Sequence, residues 1–345
     1  MTVKQEIFEQ PEVAQRLLDQ ETANIQDIAG WLRGSSFNYA FLAARGTSDN
    51  AVRYANYLYG AFNRLPVALA TPSLFSLYQR PPLLKGALVL GVSQSGQSPD
   101  IVSVLEEGRK QGCPTLAITN DVNSPLAQAA DRVINVRAGE ERAVAATKSY
   151  TAQLMAVALL SAALAQDEER LRALQAVPGW MAQALQTDEL MHSAAVRYRY
   201  MEQCVVLGRG YNYATAFEWS LKLKEMTYIM AEPYSSADFL HGPIAVIERG
   251  FPAMAVAPQG AVFADMLNLL HLLADQHQAE LMVISDGAEA LRTARTPVEL
   301  PAGMPEWLTP LVSIIPAQLF SYHLTCEKGF DANTPRGLKK VTETR

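Results

Sequence analysis

The chain has 345 residues, of which 49% are hydrophobic and 19% charged, and its 29 basic and 35 acidic side chains leave a net charge of -6. That composition excludes disordered, collagen-like and coiled-coil classes and supplies apolar material for one or two buried cores. A net acidic chain lacks the electrostatic footprint of a nucleic-acid binder, so no nucleic-acid partner is expected and any anion site must be local.

The N-terminus, MTVKQEIFEQPEVAQRLLDQE, has no apolar core of the signal-peptide kind, and residues 1–34 read as a helical segment. The stretch FLAARGTSDNAVRYANYL then reads as a short strand, a glycine turn and a helix. After it, GALVLGVSQSGQS gives a strand and a serine-rich loop, and Pro99 is placed to open a helix running to Gln111. The runs LVLGVS, TLAIT and VINV are continuously apolar rather than alternating, which suits strands buried on both faces. Ser149 to Gln166 is an uncharged stretch of 18 residues. Its Tyr150, Thr151, Gln153 and Ser161, and its lack of flanking anchors, point to a buried helix and not to a membrane span. Residues 166–196 read as a helical connector broken near Pro178-Gly179.

From residue 197 the pattern starts again. CVVLGRGYNYATAFEWSLKL matches the first strand–turn–helix, with Arg45-Gly46 and Arg209-Gly210 separated by 164 positions. GFPAMAVAPQGAVF matches GALVLGVSQSGQS, with Gly96 and Gly260 again 164 apart, and CPTLAITND matches AELMVISDG, with Thr119 and Ser285 166 apart. A nearly constant offset is the mark of internal duplication. Strands alternating with helices imply parallel sheets. The expected fold is therefore α/β: two tandem doubly wound parallel-sheet domains, flavodoxin-like and three-layered, over 35–165 and 197–330. A polar tail over 331–345 follows. Three scattered cysteines (Cys113, Cys204, Cys326) with no CxxC imply neither a disulfide framework nor a metal cluster, and a cytoplasmic location is expected.

The sharpest local signal is Gly91-Val92-Ser93-Gln94-Ser95-Gly96-Gln97-Ser98-Pro99, between a strand and a helix. A helix N-terminus offers unpaired N–H groups and partial positive charge; Ser93, Ser95 and Ser98 add hydroxyls, and Gly96 lets the backbone come close. It reads either as a phosphate loop without lysine or arginine, or as an N-capped serine-rich turn. The matching loop Ala257-Pro258-Gln259-Gly260-Ala261 keeps the glycine but has lost every hydroxyl, which places a single phosphate site in the first half. Ala44-Arg45-Gly46-Thr47-Ser48-Asp49-Asn50 is a second strand-to-helix turn with hydroxyls, and it lacks the dinucleotide fingerprint. Glu218, Lys222 and Glu225 share one helix face by spacing, as a lysine-tuned carboxylate or as a solvated salt-bridge face. His241 stands in the rigid turn Leu240-His241-Gly242-Pro243, and Lys339 and Lys340 lie in the polar tail.

Taken in order, ARGTSDN, VSQSGQS, AVAATKSY, SLKLKEMTYIMAEPYSSADFLHGP and PRGLKKVTET resemble the double sugar-isomerase (SIS) domain family. The similarity is to the isomerase half of glucosamine-6-phosphate synthase and to stand-alone SIS-type deaminases, over positions 44 to 344. The resemblance implies that Ser93, Gln94, Ser95 and Ser98 hold a sugar phosphate. It implies that Gly46, Thr47 and Ser48 contact the sugar while Val144 and Ala145 line it through backbone groups. Glu225 would shuttle a proton between C1 and C2 beside Lys222. His241 would open the sugar ring, reaching in from the neighbouring subunit of a homodimer. Lys340 would correspond to the tail lysine able to form a Schiff base, with the tail folding over the site. No metal or redox cofactor is implied.

Two departures direct the expectation. The chain begins MTVKQ, without the synthase's cysteine-headed glutaminase domain, so glutaminase activity is not expected. Leu240 stands where the synthase has a lysine. Glu141-Arg142-Ala143-Val144-Ala145-Ala146-Thr147-Lys148 resembles the Glu-x-x-Val-Ala-Ala-Thr-Lys pattern of the stand-alone enzymes. The expected activity is conversion of glucosamine 6-phosphate to fructose 6-phosphate and ammonia. The alternatives are galactosamine 6-phosphate deamination, deglycation of a fructosyl-amino-acid 6-phosphate, and a non-catalytic phosphosugar-sensing module.

Overall fold

The computed structural model describes residues 2–340, so the last five positions of the expected tail, 341–345, lie outside the described residues. The chain forms two compact units: the first holds residues 9–142, 146–176 and 339–340, the second 2–8, 143–145 and 177–338.

The first unit is built on five parallel strands: β1 (Tyr39–Ala43), β2 (Val67–Leu69), β3 (Ala87–Ser93), β4 (Thr115–Thr119) and β5 (Arg132–Asn135), in the order β2-β1-β3-β4-β5. All seven residues of β3 and all five of β4 are buried, as their unbroken apolar runs require. Helices cover the sheet. The face formed by Phe41, Val89 and Ala117 packs under Ile101, Val104 and Leu105 of the helix Pro99–Lys110. The uncharged stretch forms the helix Lys148–Ala165, buried along its length and packed on the helices Gln10–Arg33 and Thr47–Asn63. Among the described residues no helix is long and apolar enough to cross a membrane.

The second unit repeats the plan. Its strands β6 (Gln203–Gly208), β7 (Met230–Ser235), β8 (Pro252–Val256), β9 (Glu280–Ser285) and β10 (Thr296–Glu299) are parallel and ordered β7-β6-β8-β9-β10. This is the first sheet's order strand for strand, so the duplication read from the 164-residue offset is a duplication of topology. The buried helix Thr309–Glu327 packs on Asp188–Tyr198 and Tyr213–Lys222. Even an ion-pair brace is repeated: Arg45 reaches the buried Asp100 at 2.8 Å in the first unit, and Arg209 reaches Asp265 at 3.5 Å in the second.

The expected connector 166–196 is helical but breaks earlier than expected. One helix ends at Leu174 and the next, Val177–Ala184, contains Pro178 and Gly179 in its first turn. A proline there forfeits no hydrogen bond, because the first N–H groups of a helix are unpaired anyway.

Candidate active site

In each sheet the strand order reverses between two central strands, β1/β3 and β6/β8, and open α/β sheets present ligand crevices at the carboxyl ends of such pairs. Both hydroxyl-bearing loops of the first unit stand there. The loop after β3 turns at Gly96, whose φ is +62°. A side chain at this position would meet Ser124 Oγ at 2.1 Å and Thr119 Oγ1 at 3.1 Å, so conformation and space both demand glycine. Leu126 N–H donates to the Gly96 carbonyl and Asn120 N–H to that of Gln94, each at 3.1 Å, pinning the loop from the β4 side. Ser93 Oγ accepts from Gly96 N–H at 3.1 Å and Ser95 Oγ from Gln97 N–H at 3.3 Å. Ser98 occupies the N-cap of Pro99–Lys110 without spending its hydroxyl on the cap. Amides, hydroxyls and a helix N-terminus meet here, an arrangement of the kind that can accept an anion, and the first turn of the helix also carries Asp100, paired with Arg45.

The loop after β1 turns at Gly46 (φ 54°, ψ -130°) into the helix that Thr47 opens. Ser48 is buried, and its Oγ accepts from Gln153 Nε2 at 3.0 Å. That bond leaves the Ser48 hydroxyl proton for another acceptor. The first unit also contains Glu141, a side chain with no solvent exposure. It accepts from Thr147 N–H (3.0 Å), Ser149 N–H (3.0 Å), Ser149 Oγ (2.7 Å) and Lys340 Nζ (2.8 Å). Burial alone would raise its pKa; Lys340 and Ser149 outweigh burial and hold it below the ordinary carboxylate value.

In the second unit, Ala143 N–H donates to the buried Glu6 carboxylate at 3.2 Å, which fixes the backbone leading into Val144 and Ala145. Glu218 and Lys222 lie on the helix Tyr213–Lys222, which passes into a π-helical turn over Leu223–Thr227. Such turns are rare and recur at functional sites. Lys222 Nζ lies 2.6 Å from Glu225 and 3.3 Å from Glu218, with side-chain exposures of 1% for Lys222, 0% for Glu218 and 25% for Glu225. The solvated-face reading is thereby excluded, because a buried ammonium is shared by one buried and one accessible carboxylate. Burial opposes the charge on Lys222, yet the two carboxylates raise its pKa above the ordinary lysine value. His241 follows the short helix Ser236–Leu240, exposed, at a turn that Gly242 makes with φ +138°.

The second unit's counterpart of the serine loop explains its missing hydroxyls. Ala261 N–H donates to Glu306 Oε2 at 2.8 Å and Gln259 N–H to Asp286 Oδ1 at 2.7 Å. A side chain at Gly260 would collide with Glu306 at 2.3 Å. The amides are satisfied from within by carboxylates. Sequence reasoning missed Glu306, which lies 45 residues beyond Ala261 with no motif around it, and it quoted Glu141 without assigning it a role.

Thus the structure gathers Gly46, Thr47, Ser48, Ser93, Gln94, Ser95 and Ser98 at the ends of β1 and β3 and pairs Lys340 with Glu141. In the other unit it joins Lys222 to Glu225, while Val144, Ala145 and His241 occupy separate loops there. Among the described residues no group of three or more His, Cys, Asp or Glu side chains is arranged to hold a metal ion.

A glutamine–fructose-6-phosphate aminotransferase (isomerizing) from Aquifex aeolicus is 33% identical over 338 residues, 97% of this chain and 56% of that protein. The chain spans little more than half the length of the curated relatives it matches. Among solved structures, a protein of Silicibacter pomeroyi DSS-3, provisionally assigned as a phosphosugar isomerase, superposes with a TM-score of 0.86 at 34% identity. That superposition covers 96% of this chain and 100% of the other. The glucosamine-6-phosphate deaminase of Thermotoga maritima shares the fold, with a TM-score of 0.79 at 18% identity over the full length of both chains. The SIS domain model matches twice, over residues 37–163 and 199–328, and the chain belongs to the SIS domain family.

Proposed function

We propose that the chain is an aldose–ketose isomerase of sugar phosphates that works as an amino-sugar deaminase, converting glucosamine 6-phosphate and water to fructose 6-phosphate and ammonia. The observation that carries the reading is the group Glu218–Lys222–Glu225. Shifting a proton between adjacent carbons requires a carboxylate that reaches the substrate and is held in place by its surroundings. Glu225 is that carboxylate: a quarter exposed, on a π turn, and gripped at 2.6 Å by an ammonium that cannot drift into solvent.

The phosphate is taken by Ser93, Gln94, Ser95 and Ser98, with Thr47 and Ser48 on sugar hydroxyls. His241 assists ring opening. Glu225 removes the C2 proton of the open aminoaldose, the electron pair forms a C1–C2 enolamine, and the proton is returned to C1. The product is a C2 imine of fructose 6-phosphate. Water adds to C2, the C–N bond breaks, and ammonia leaves. Support comes from the kinship with a protein named as an isomerizing aminotransferase and with one provisionally assigned as a phosphosugar isomerase.

The test is to incubate the protein with glucosamine 6-phosphate, without glutamine, and to measure ammonia and fructose 6-phosphate together. Equal yields are expected, and Glu225→Gln should lower kcat by about 10²- to 10⁴-fold while sugar phosphate still binds. Interconversion of fructose and glucose 6-phosphates without ammonia would keep the isomerase and remove the deaminase. Full activity in Glu225→Gln would remove this carboxylate from the reaction.

A further inference from the structure

We propose that Glu141 is a positioning residue for the reaction: it fixes the Lys340 ammonium, and with it residues 339–340, before substrate arrives. The proposal rests on the reading that Lys340 acts on the open-chain sugar.

A carboxylate with no solvent exposure is costly unless its charge is answered. Three of the four hydrogen bonds to Glu141 come from its own loop, six to eight residues away: the amides of Thr147 and Ser149 and the Ser149 hydroxyl. These donors are themselves neutral, and they favour the carboxylate without neutralising its charge. Among the described residues the fourth partner is the one that brings an opposite charge, the ammonium of Lys340, 199 residues along the chain. The Lys340 side chain is 24% exposed, so most of its stem is covered. A lysine is a point charge on a flexible four-carbon arm, and it loses side-chain entropy when held in one place. The loop therefore acts as a rigid mount that keeps the Glu141 oxygens aimed, and Glu141 sets where the tail lysine waits. The neighbouring Lys148, 2.6 Å from Glu9 and 2.7 Å from the Glu140 carbonyl, stiffens the same mount.

The experiment uses the full chain and the variants Glu141→Gln, Glu141→Asp, Lys340→Met and Glu141→Gln/Lys340→Met. The first readout needs no activity: the rate of tryptic cleavage after Lys340 without ligand. Glu141→Gln should raise it by about 10- to 100-fold, the worth of one charge-assisted hydrogen bond, and Glu141→Asp should fall between it and the wild type. The second readout is kinetic, with glucosamine 6-phosphate. Glu141→Gln should lower kcat by a similar factor and move KM by less than about 3-fold, since the phosphate loop is untouched. The double variant should be no slower than Lys340→Met alone, because residues acting as one unit are not additive. Unchanged cleavage in Glu141→Gln, or a double variant that loses the product of both single effects, overturns the proposal. A wild type that turns over no glucosamine 6-phosphate, with cleavage still dependent on Glu141, removes the functional reading and leaves the hold on Lys340 standing.

Discussion

Replacing Lys222 by methionine separates the two readings of Glu218, Lys222 and Glu225 by an order of magnitude. Methionine keeps an unbranched side chain of nearly the same length and removes the ammonium, its charge and its hydrogen-bond donors together. On a solvated helix face the loss would be about 0.3–0.5 kcal/mol, the usual worth of a pair at this spacing. In the structure the partner left behind is Glu218, whose side chain has no exposure. Removing the cation from a buried ion pair costs about 3–5 kcal/mol. For a unit of this size that is a fall in melting temperature of about 6–20 °C. The lysine is raised above its ordinary value of 10.5, so its contribution is complete below that pH and is lost only as pH rises through the still higher folded value. Thermal unfolding at neutral pH therefore reads the whole effect. Adding Glu218→Gln to Lys222→Met should recover part of the loss, since the buried negative charge is then gone. A fall below about 3 °C in Lys222→Met, or no recovery in the double variant, would refute the burial argument.

Three further outcomes follow from the same geometry. Gly96→Ala places a methyl 2.1 Å from Ser124 Oγ at φ +62°; it should cost roughly 2–4 kcal/mol in unfolding experiments, and calorimetry should show weakened inorganic phosphate binding. Glu141 is held below its ordinary carboxylate value of 4.5, so the stability it adds is present above that pH and lost as pH falls through its lower folded value. The stability gap between wild type and Glu141→Gln should accordingly be constant at neutral pH and close in the acid range below 4.5, as followed by denaturant titration. Glu306→Ala removes the carboxylate from Ala261 N–H and should speed hydrogen exchange of that amide by about 5- to 100-fold, while the KM for the sugar phosphate stays within about 2-fold.

What was legible in the sequence is what periodicity and punctuation encode locally. The continuous apolar runs became β3 and β4, Pro99 opened its helix, and the 164-residue offset became two sheets of one topology. The π turn at Leu223–Thr227 was not legible, because one extra residue per turn leaves no mark that a spacing of three or four can detect. Its effect is chemical: Lys222 and Glu218 are buried while Glu225, only three positions on, reaches solvent. Likewise, no composition shows that a carboxylate at Glu141 meets an ammonium at Lys340.

The comparison of the two halves argues most about where function lies. Both keep the strand order, the turn glycine and the arginine–aspartate brace, and those features belong to the fold. At the turn itself they diverge. In the first half the group crowding the glycine is the neutral Ser124 hydroxyl, and the loop carries Ser93, Ser95 and Ser98. In the second half the crowding group is the Glu306 carboxylate, and no loop hydroxyl remains. An amide nest at a helix N-terminus favours negative charge, whether from a ligand or from the chain itself. A carboxylate 2.8 Å from Ala261 N meets that preference permanently and repels any phosphate that approaches. Hydroxyls stabilise the loop without carrying a negative charge. The half that keeps the loop hydroxyls has no carboxylate against its turn glycine, and the half without them has its turn amides satisfied by its own carboxylates.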